Sequence, residues 1–528
     1  MPEIRRARTV QQGAEDAVTP DAQAEIAVFL SRPDTYGVCA GAVDRIDTHI
    51  SIVWLAGNRA LKLKRAVRFD YVDFSTAELR RLACEAEVRL NRRTAAQLYR
   101  GVVSVTREAD GSLALGGGGT PLDWLVEMTR FDQDSLFDRL AAEHHLDLTL
   151  MRDLAAAIAR LHACARIRSD HGGRAGMSWV ADGNALGLLE QGGGVLDAGI
   201  CARLAAETQA AVVAHAARLD IRRRGGLVRE CHGDPHLRNI CLLNGVPTLF
   251  DGVEFNEEIS CIDVLYDLAF VLMDLWRRRL SAHANVVLNE YLACTTDVDA
   301  LCLMPLFLSC RAAVRAKTSV TAAKSQTDPT RRAELEAIAR NYLGLAMRFL
   351  HPPPARLIAV GGFSGSGKST LARALAPDIG AAPGALVLRS DVMRKSLLGV
   401  APLTRLGSEG YSPDVTHQVY RLLRDRACAA LKAGHAVIAD AVFADPAERQ
   451  ALERMATEID VPFSGLWLEA PAEVLARRIS DRPLDASDAT PAVLDRQLTA
   501  GGAPIEWSRL DGSADVETVL DHARTILA

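Results

Sequence analysis

The chain has 528 residues, 49% of them hydrophobic and 24% charged. That is too long for one ordinary core at about 100–200 residues per domain and too apolar for a disordered chain. A formal net charge of −5 excludes a general attraction to nucleic acid, which needs concentrated Lys and Arg. The eleven cysteines include no Cys-x-x-Cys pair, so they read as reduced thiols and not as a disulfide framework or zinc ligands.

Residues 1–24 mix charge, Gln and Gly without period and read as a loose arm entering a helix over 21–30. No apolar stretch of signal-peptide type follows the start. The most apolar run, residues 268–273, is bracketed by Asp267 and Asp274, far short of the roughly 18 apolar residues of a membrane helix. A cytoplasmic protein without membrane contact is expected.

Two apolar runs, residues 50–55, rich in β-branched side chains, and 60–63, flank Ala56-Gly57-Asn58 and predict a hairpin. Residues 75–98 predict an amphipathic helix, with Leu79, Leu82, Ala83, Ala86 and Leu90 as its apolar positions. Ala-rich helical patterns cover 146–164 and 196–219, and 262–350 reads as helical almost throughout. Strands therefore come early and helices late. His351-Pro352-Pro353-Pro354 cannot continue a helix, which sets a linker at 351–355 between domains at 25–350 and 356–528. Beyond it, strands at 357–360, 385–388, 436–439 and 465–468 alternate with helices, the pattern of a parallel sheet wrapped by helices.

The first of those strands runs into Gly362-Phe363-Ser364-Gly365-Ser366-Gly367-Lys368-Ser369-Thr370, the P-loop spacing. Glycines at 362, 365 and 367 let backbone amides, including that of Ser366, turn toward a phosphate, and Thr370 completes the nucleotide-binding set. Lys368 adds charge on the outer phosphates, and the Ser369 hydroxyl suits Mg2+. Asp391 follows the second strand, where open parallel sheets bind ligands, and is placed to take a proton from a hydroxyl. Arg394, one helical step on, is placed to hold an anion. The plainer reading of the two is a helix cap and a surface arginine. Asp440 ends the third strand as a Walker-B-like partner of the metal, or as a turn aspartate. Arg478 and Arg482 lie four apart, either to neutralise a phosphoryl group in transfer or as a solvated face.

Together these segments resemble the small P-loop kinases of the gluconate kinase, zeta toxin and polynucleotide kinase type, an AAA-type ATP-binding domain covering residues 356–528. Residues 485–489, Asp-Ala-Ser-Asp-Ala, are similar to the segment that follows the arginine-bearing lid of those kinases. The resemblance implies an α/β P-loop NTPase fold and ATP-dependent phosphoryl transfer to acceptors that vary among members.

A second constellation is His232-Gly233-Asp234-Pro235-His236-Leu237-Arg238-Asn239, followed by Asp251-Gly252. It meets the kinase template, in which Asp follows His by two, Asn follows that Asp by five, and a later Asp-x-Gly adds a carboxylate. Asp234 reads as the residue that orients a hydroxyl and takes its proton, and Asn239 and Asp251 as Mg2+ ligands. Lys62 reads as the phosphate-binding lysine with Glu87 as its partner, and Lys64 and Glu85 are rivals for these roles. His232 and His236 read as packing residues. Arg311, Arg315 and Lys317 read as a solvated helix face. Glu254, Glu257 and Glu258 read either as a receptor for a cationic substrate or as an exposed acidic loop.

These residues, with Tyr266-Asp267-Leu268-Ala269-Phe270, resemble the aminoglycoside phosphotransferase-like kinases over residues 25–345. The resemblance implies an α+β protein-kinase-like bilobal fold, with a small strand-rich lobe and a large helical lobe. One departure stands out: no Gly-x-Gly-x-x-Gly loop precedes Lys62, and Asp47-Thr48-His49-Ile50-Ser51 occupies that turn. The expectation is a two-site phosphotransferase using ATP and Mg2+ on small-molecule hydroxyls, without nucleic acid as partner. Two alternatives stay open. One is a single active P-loop kinase with the N-terminal half as regulator or scaffold; the other is a toxin-like nucleotide-sugar kinase or polynucleotide end kinase.

Overall fold

The computed structural model describes residues 20–37, 41–69, 71–401, 403–481, 485–499 and 504–528. The expected arm lies outside the described residues as far as residue 19, and the helix beyond it spans Pro20–Leu30. The chain divides into two compact units, one made of Met1–His145, Cys164–His171 and Val228–Ile262, the other of Leu146–Ala163, Gly172–Leu227 and Asp263–Ala528.

The first unit is built on a six-stranded antiparallel sheet in the order Val43–Asp47, Ser51–Ala56, Arg59–Lys64, Thr120–Thr129, Tyr99–Arg107, Leu113–Leu115. Ala56 pairs with Arg59 across the hairpin, and Gly57 turns the chain at φ 55°. Alternate residues serve opposite faces. Ile52, Trp54, Leu61, Leu63, Val105 and Leu125 pack with Ile26 and Leu30 of the first helix. Leu55, Ala60, Tyr99, Val126 and Met128 pack on Cys84, Val88 and Ala95 of the helix Ala77–Ala95. That helix starts at Thr76, whose side chain accepts a hydrogen bond from the Leu79 amide.

The apolar stripe expected on this helix needs correction. Leu79 and Leu82 are 37% and 48% exposed while Leu90 is buried as expected, and the buried face also carries Arg80, Cys84, Glu87, Val88 and Asn91. Polar residues with fixed partners occupy part of the inner face, so hydrophobic period alone misplaces the first turns of the helix. Arg80 shows why burial is tolerated: its Nε lies 2.9 Å from Asp123 Oδ1 and its Nη1 donates to Phe74 O at 2.7 Å.

The second unit begins with helices, among them Leu148–Cys164, Gly173–Gly192, Val264–Arg277, Ser281–Thr295, Met304–Lys324 and Pro329–Leu350. The pattern read over 196–219 is two helices, Ala198–Ala214 and Ala216–Arg224, separated at His215. Arg311, expected in solvent, is buried: it donates to Tyr266 O at 3.0 Å and lies 3.9 Å from the Tyr266 ring centroid.

After Leu350 comes a five-stranded parallel sheet in the order Leu386–Arg389, Val437–Asp440, Leu357–Gly362, Phe463–Glu469, Ser508–Asp511. Its core joins Ile358, Val360, Ile438, Leu466 and Leu468 to Leu371 and Leu375 of the helix Lys368–Leu375 and to Val519 and Ala523 of Val516–Leu527. The fold is thus a strand-rich N-terminal region with an antiparallel sheet, followed by helices and a parallel-sheet P-loop domain. No helix among the described residues is long and apolar enough to cross a membrane.

Candidate active sites

In the first unit, Lys62 and Lys64 stand two apart on the strand Arg59–Lys64 and so point to one side. Glu87, on the helix, takes both. Its Oε1 lies 2.9 Å from Lys62 Nζ and its Oε2 2.7 Å from Lys64 Nζ. The rival Glu85 is exposed and pairs with Arg81. Lys62 also reaches Asp251 Oδ1 at 2.5 Å, and Lys64 is bonded to Glu254. Glu254 is therefore neither an exposed acid nor an open receptor for a cation. Glu257 is engaged as well, 2.8 Å from Arg168.

Burial disfavours the charge on Lys62, yet Asp251 and Glu87 hold its amine well above the ordinary value. Burial likewise pushes the Glu87 carboxyl up, but the two lysines outweigh it and bring the group down to about 2. Glu254 goes the other way: burial dominates and raises it, although Lys64 opposes. Of the two acids, Glu87 is the firmly ionised one.

The residues of the loop 232–239 are held by a second set of bonds. Asn239 Nδ2 donates to Asp234 O at 2.9 Å and lies 3.2 Å from Asp234 Oδ2. Asp234 keeps a third of its side chain exposed, 34%, with His236 Nε2 3.4 Å away. His232 Nε2 donates to Phe250 O at 2.9 Å while its Nδ1 accepts from the Asp234 amide at 3.3 Å, a structural role that fixes its tautomer. The Phe250 amide in turn donates to Asn239 O at 3.0 Å, tying the Asn239 and Asp251 segments together.

Asp251 has φ 60°, in the left-handed region, a backbone state that persists only where its surroundings enforce it. Two residues that sequence reasoning missed enforce it here. Tyr99 OH accepts from the Asp251 amide at 3.0 Å, and Asn91 Oδ1 accepts from the Gly252 amide at 2.8 Å. Asn91 lies one turn beyond Glu87 and also donates to its carbonyl at 2.9 Å. That i,i+4 relation is the one sequence signal that points to it.

Asn239 and Asp251 offer hard oxygens of the kind Mg2+ prefers. The turn that should cover the phosphates is less suited. Thr48 N donates to Ser51 O and Ser51 N donates to Thr48 Oγ1, both at 2.9 Å. Those amides are already spoken for.

In the second unit the P-loop joins the strand Leu357–Gly362 to the helix Lys368–Leu375. Gly362, Gly365 and Gly367 have φ of 135°, 84° and 96°, all outside the range of ordinary L-residues. A Cβ at Gly362 would come within 2.5 Å of Leu468 O, and one at Gly365 within 2.6 Å of Leu475 O. Only glycine allows this cradle. Ser366 is buried, with no partner for its hydroxyl among the described residues. The Thr370 amide donates to Gly367 O at 3.1 Å, and Lys368 Nζ donates to Phe363 O at 2.9 Å.

Ser369 Oγ and Asp440 Oδ2 are 2.5 Å apart, because parallel pairing sets Asp440 beside Val360 on the strand that feeds the loop. The pair supplies a hydroxyl and a carboxylate, a fit donor set for Mg2+. Arg389 stands 3.5 Å from Asp440 and grips Asp485 with two bonds, at 3.2 and 2.9 Å. Asp391 lies in the first turn of the helix Ser390–Leu397, whose N-cap position is Arg389, so it does not cap the helix. Burial and the charge of Asp440 raise its carboxyl, against Arg389, Lys368 and a hydrogen bond from Ser487.

Arg394 is not a surface residue. It is buried, donates to Gly410 O at 2.9 Å and Thr416 Oγ1 at 3.2 Å, and lies 4.6 Å from the Tyr411 ring centroid. Its Nε has no partner among the described residues. Arg478, on the helix Ala472–Ser480, donates to Gly512 O and, at 3.4 Å, to Ser513 O. Arg482 lies outside the described residues. The segment after it is tied to the same end of the sheet, with Asp488 accepting from Lys395 at 2.6 Å and Tyr411 at 2.9 Å.

Residues 357–504 match a family of AAA domains. A match of 35% identity over 117 residues, 22% of this chain and 59% of the relative, is to the adenylyl-sulfate kinase of Myxococcus xanthus. Among solved structures, a choline/ethanolamine kinase family protein from Mesorhizobium loti aligns with 62% of this chain and 99% of its own, at 14% identity and TM-score 0.37. Over 458 residues the chain is 31% identical to the protein Rv2004c of Mycobacterium tuberculosis, which spans 85% of this chain and 88% of that protein. The chain belongs to the family of that mycobacterial protein and carries a P-loop AAA domain over residues 357–504.

Proposed function

We propose that the chain is an ATP-dependent phosphotransferase with two nucleotide sites, each passing the γ-phosphoryl group to a hydroxyl of a small molecule in the cytoplasm. One observation carries it: each site joins a candidate base to residues fit for the metal, Asp234 bonded to Asn239 in one, and in the other the Ser369–Asp440 pair with Asp391 in the first turn after the neighbouring strand. Bound Mg-ATP supplies the phosphoryl group and neutralises part of its charge. The chain's part is positioning and proton transfer. Lys62, kept cationic by Glu87 and Asp251, and Lys368 with the glycine cradle are the residues for the phosphates. Asp391, whose carboxyl is raised by burial and by Asp440, is a stronger base than an ordinary aspartate and suits removal of the acceptor's proton. The open Nε of buried Arg394 favours an anionic acceptor at the P-loop site, as does the likeness to an adenylyl-sulfate kinase.

Incubating the full chain with γ-labelled ATP and a pool of hydroxylated metabolites tests this reading. Two product sets are expected, one lost in Asp234→Ala and the other in Lys368→Ala. Absence of transfer by the wild type sinks it. A second reading, in which the N-terminal region regulates and only the P-loop site transfers, is favoured by the tied amides of Thr48 and Ser51. One bound nucleotide per chain, with every product insensitive to Asp234→Ala, is its signature.

A further inference from the structure

The strand Leu386–Arg389 is an edge of the parallel sheet, hydrogen-bonded on one side to Val437–Asp440. The Leu386 amide points inward, donating to Ala436 O at 2.9 Å, so the groups of residues 385 and 387 point outward. An exposed edge presents such groups unpaired. Here two side chains from the helix Ser281–Thr295 take them. Asn289 Oδ1 accepts from the Val387 amide at 2.7 Å, and Asn289 Nδ2 donates to Ala385 O at 3.2 Å. Asn285 Nδ2 donates to the same carbonyl at 3.0 Å, and Asn289 Nδ2 also donates to Asn285 O at 3.0 Å. One carboxamide thus meets both a carbonyl and an amide of the edge, as a peptide unit of an added strand would.

The approach is made possible by the chain just before the strand. Gly384 has φ 104°, and a Cβ there would come within 2.9 Å of Asn285 Nδ2. His435 Nε2, buried, fixes Gly384 O at 2.9 Å from the other side. The strand then delivers Arg389, which grips Asp485 and faces Asp440, and Asp391 two residues on.

We infer that Asn289, supported by Asn285, is a positioning residue of the P-loop site: it sets the register of the edge strand that carries Arg389 and Asp391, and so makes the helical region part of the P-loop catalyst. This rests on the proposed phosphotransfer at Lys368. Displacement of a catalytic group by about 1 Å costs up to ~10²-fold in rate. The P-loop itself hangs from the strand Leu357–Gly362, which is not the edge, so nucleotide affinity is predicted to hold while turnover falls.

The test uses the full chain and its Lys368-dependent Mg-ATP hydrolysis, the rate that Lys368→Ala removes. In Asn289→Ala, turnover per bound nucleotide is expected to fall about tenfold with the Kd for Mg-ATP within twofold. Asn289→Asp, which keeps an acceptor for the Val387 amide, should recover part of the loss, and Asn285→Ala should lose less than Asn289→Ala. Unchanged turnover in Asn289→Ala overturns the inference. So does loss of turnover and nucleotide affinity together in both Asn289→Ala and Asn289→Asp, the mark of general damage. A wild type with neither hydrolysis nor Lys368-dependent nucleotide binding instead defeats the phosphotransfer reading on which it rests.

Discussion

The two candidate sites are built by opposite means. In the first unit the work falls to side chains gathered from distant parts of the chain: Lys62 and Lys64 share Glu87, Asn91 and Tyr99 pin the Asp251-Gly252 turn, and Asn239 is bonded to Asp234. In the second unit a continuous nine-residue loop does most of it with backbone, through three left-handed glycines. A site of buried charges depends on every partner being present, because an uncompensated charge in a low-dielectric interior is costly. A backbone cradle tolerates changes around it but not a Cβ within it.

That contrast can be broken most severely at Glu87. Replacing it with Ala leaves Lys62 with Asp251 alone and buried Lys64 with Glu254 alone, and loss of about 3–5 kcal/mol from the unfolding free energy is expected, read by denaturant titration. The same residue sets a pH dependence. Its folded pKa, about 2, lies below that of the unfolded chain, so the unfolded state takes up the proton first as pH falls. Its stabilisation is complete above the ordinary Glu range and fades as pH drops toward 2. Glu87→Gln should flatten that part of the melting-temperature profile.

Next in size is Lys368→Ala, expected to lower turnover at the P-loop site by roughly 10²–10³-fold without shifting the denaturant midpoint. A comparable loss of stability would show that the second site also relies on buried charge, and would erase the distinction. Asn91→Ala sharpens it from the other side. The Gly252 amide is left without its acceptor, at a cost of about 1–3 kcal/mol, and Asp234-dependent products should fall while Lys368-dependent ones persist. The smallest effect is expected at Leu82, which lies on the exposed face of the same helix: Leu82→Lys should stay within about 0.5 kcal/mol of the wild type.

The difference between the sites also explains what could be read from the chain beforehand. The P-loop, Asp391 and Asp440 occupy fixed offsets from strands in an alternating pattern, so sequence places them well. The loop from His232 to Asn239 is contiguous and equally legible. The choice between Glu85 and Glu87 was not, since both lie on one helix and only the position of the lysine strand separates them. Asn91 and Tyr99 escaped because their partners, Gly252 and Asp251, lie more than 150 positions away. The strands Tyr99–Arg107 and Thr120–Thr129 went unread for a related reason: their pairing is non-local. Leu79 and Leu82 misled because polar residues with buried partners hold the inner face of their helix. Arg311 misled because its aromatic neighbours, Tyr266 and Phe270, come from another helix.

The covering of the strand Leu386–Arg389 has a consequence for the life of the chain before folding is complete. An open sheet edge recruits other strands, and β-branched or apolar edges are where aggregation starts. With Asn285 and Asn289 in place the Ala385 carbonyl and the Val387 amide of that edge are taken. A fragment beginning after the prolines at 352–354 would carry the same strand, Leu-Val-Leu-Arg, with its outer groups bare. The helices that precede the P-loop domain in the sequence thus also act as its shield, and because they are synthesised first, the shield is ready when the edge appears.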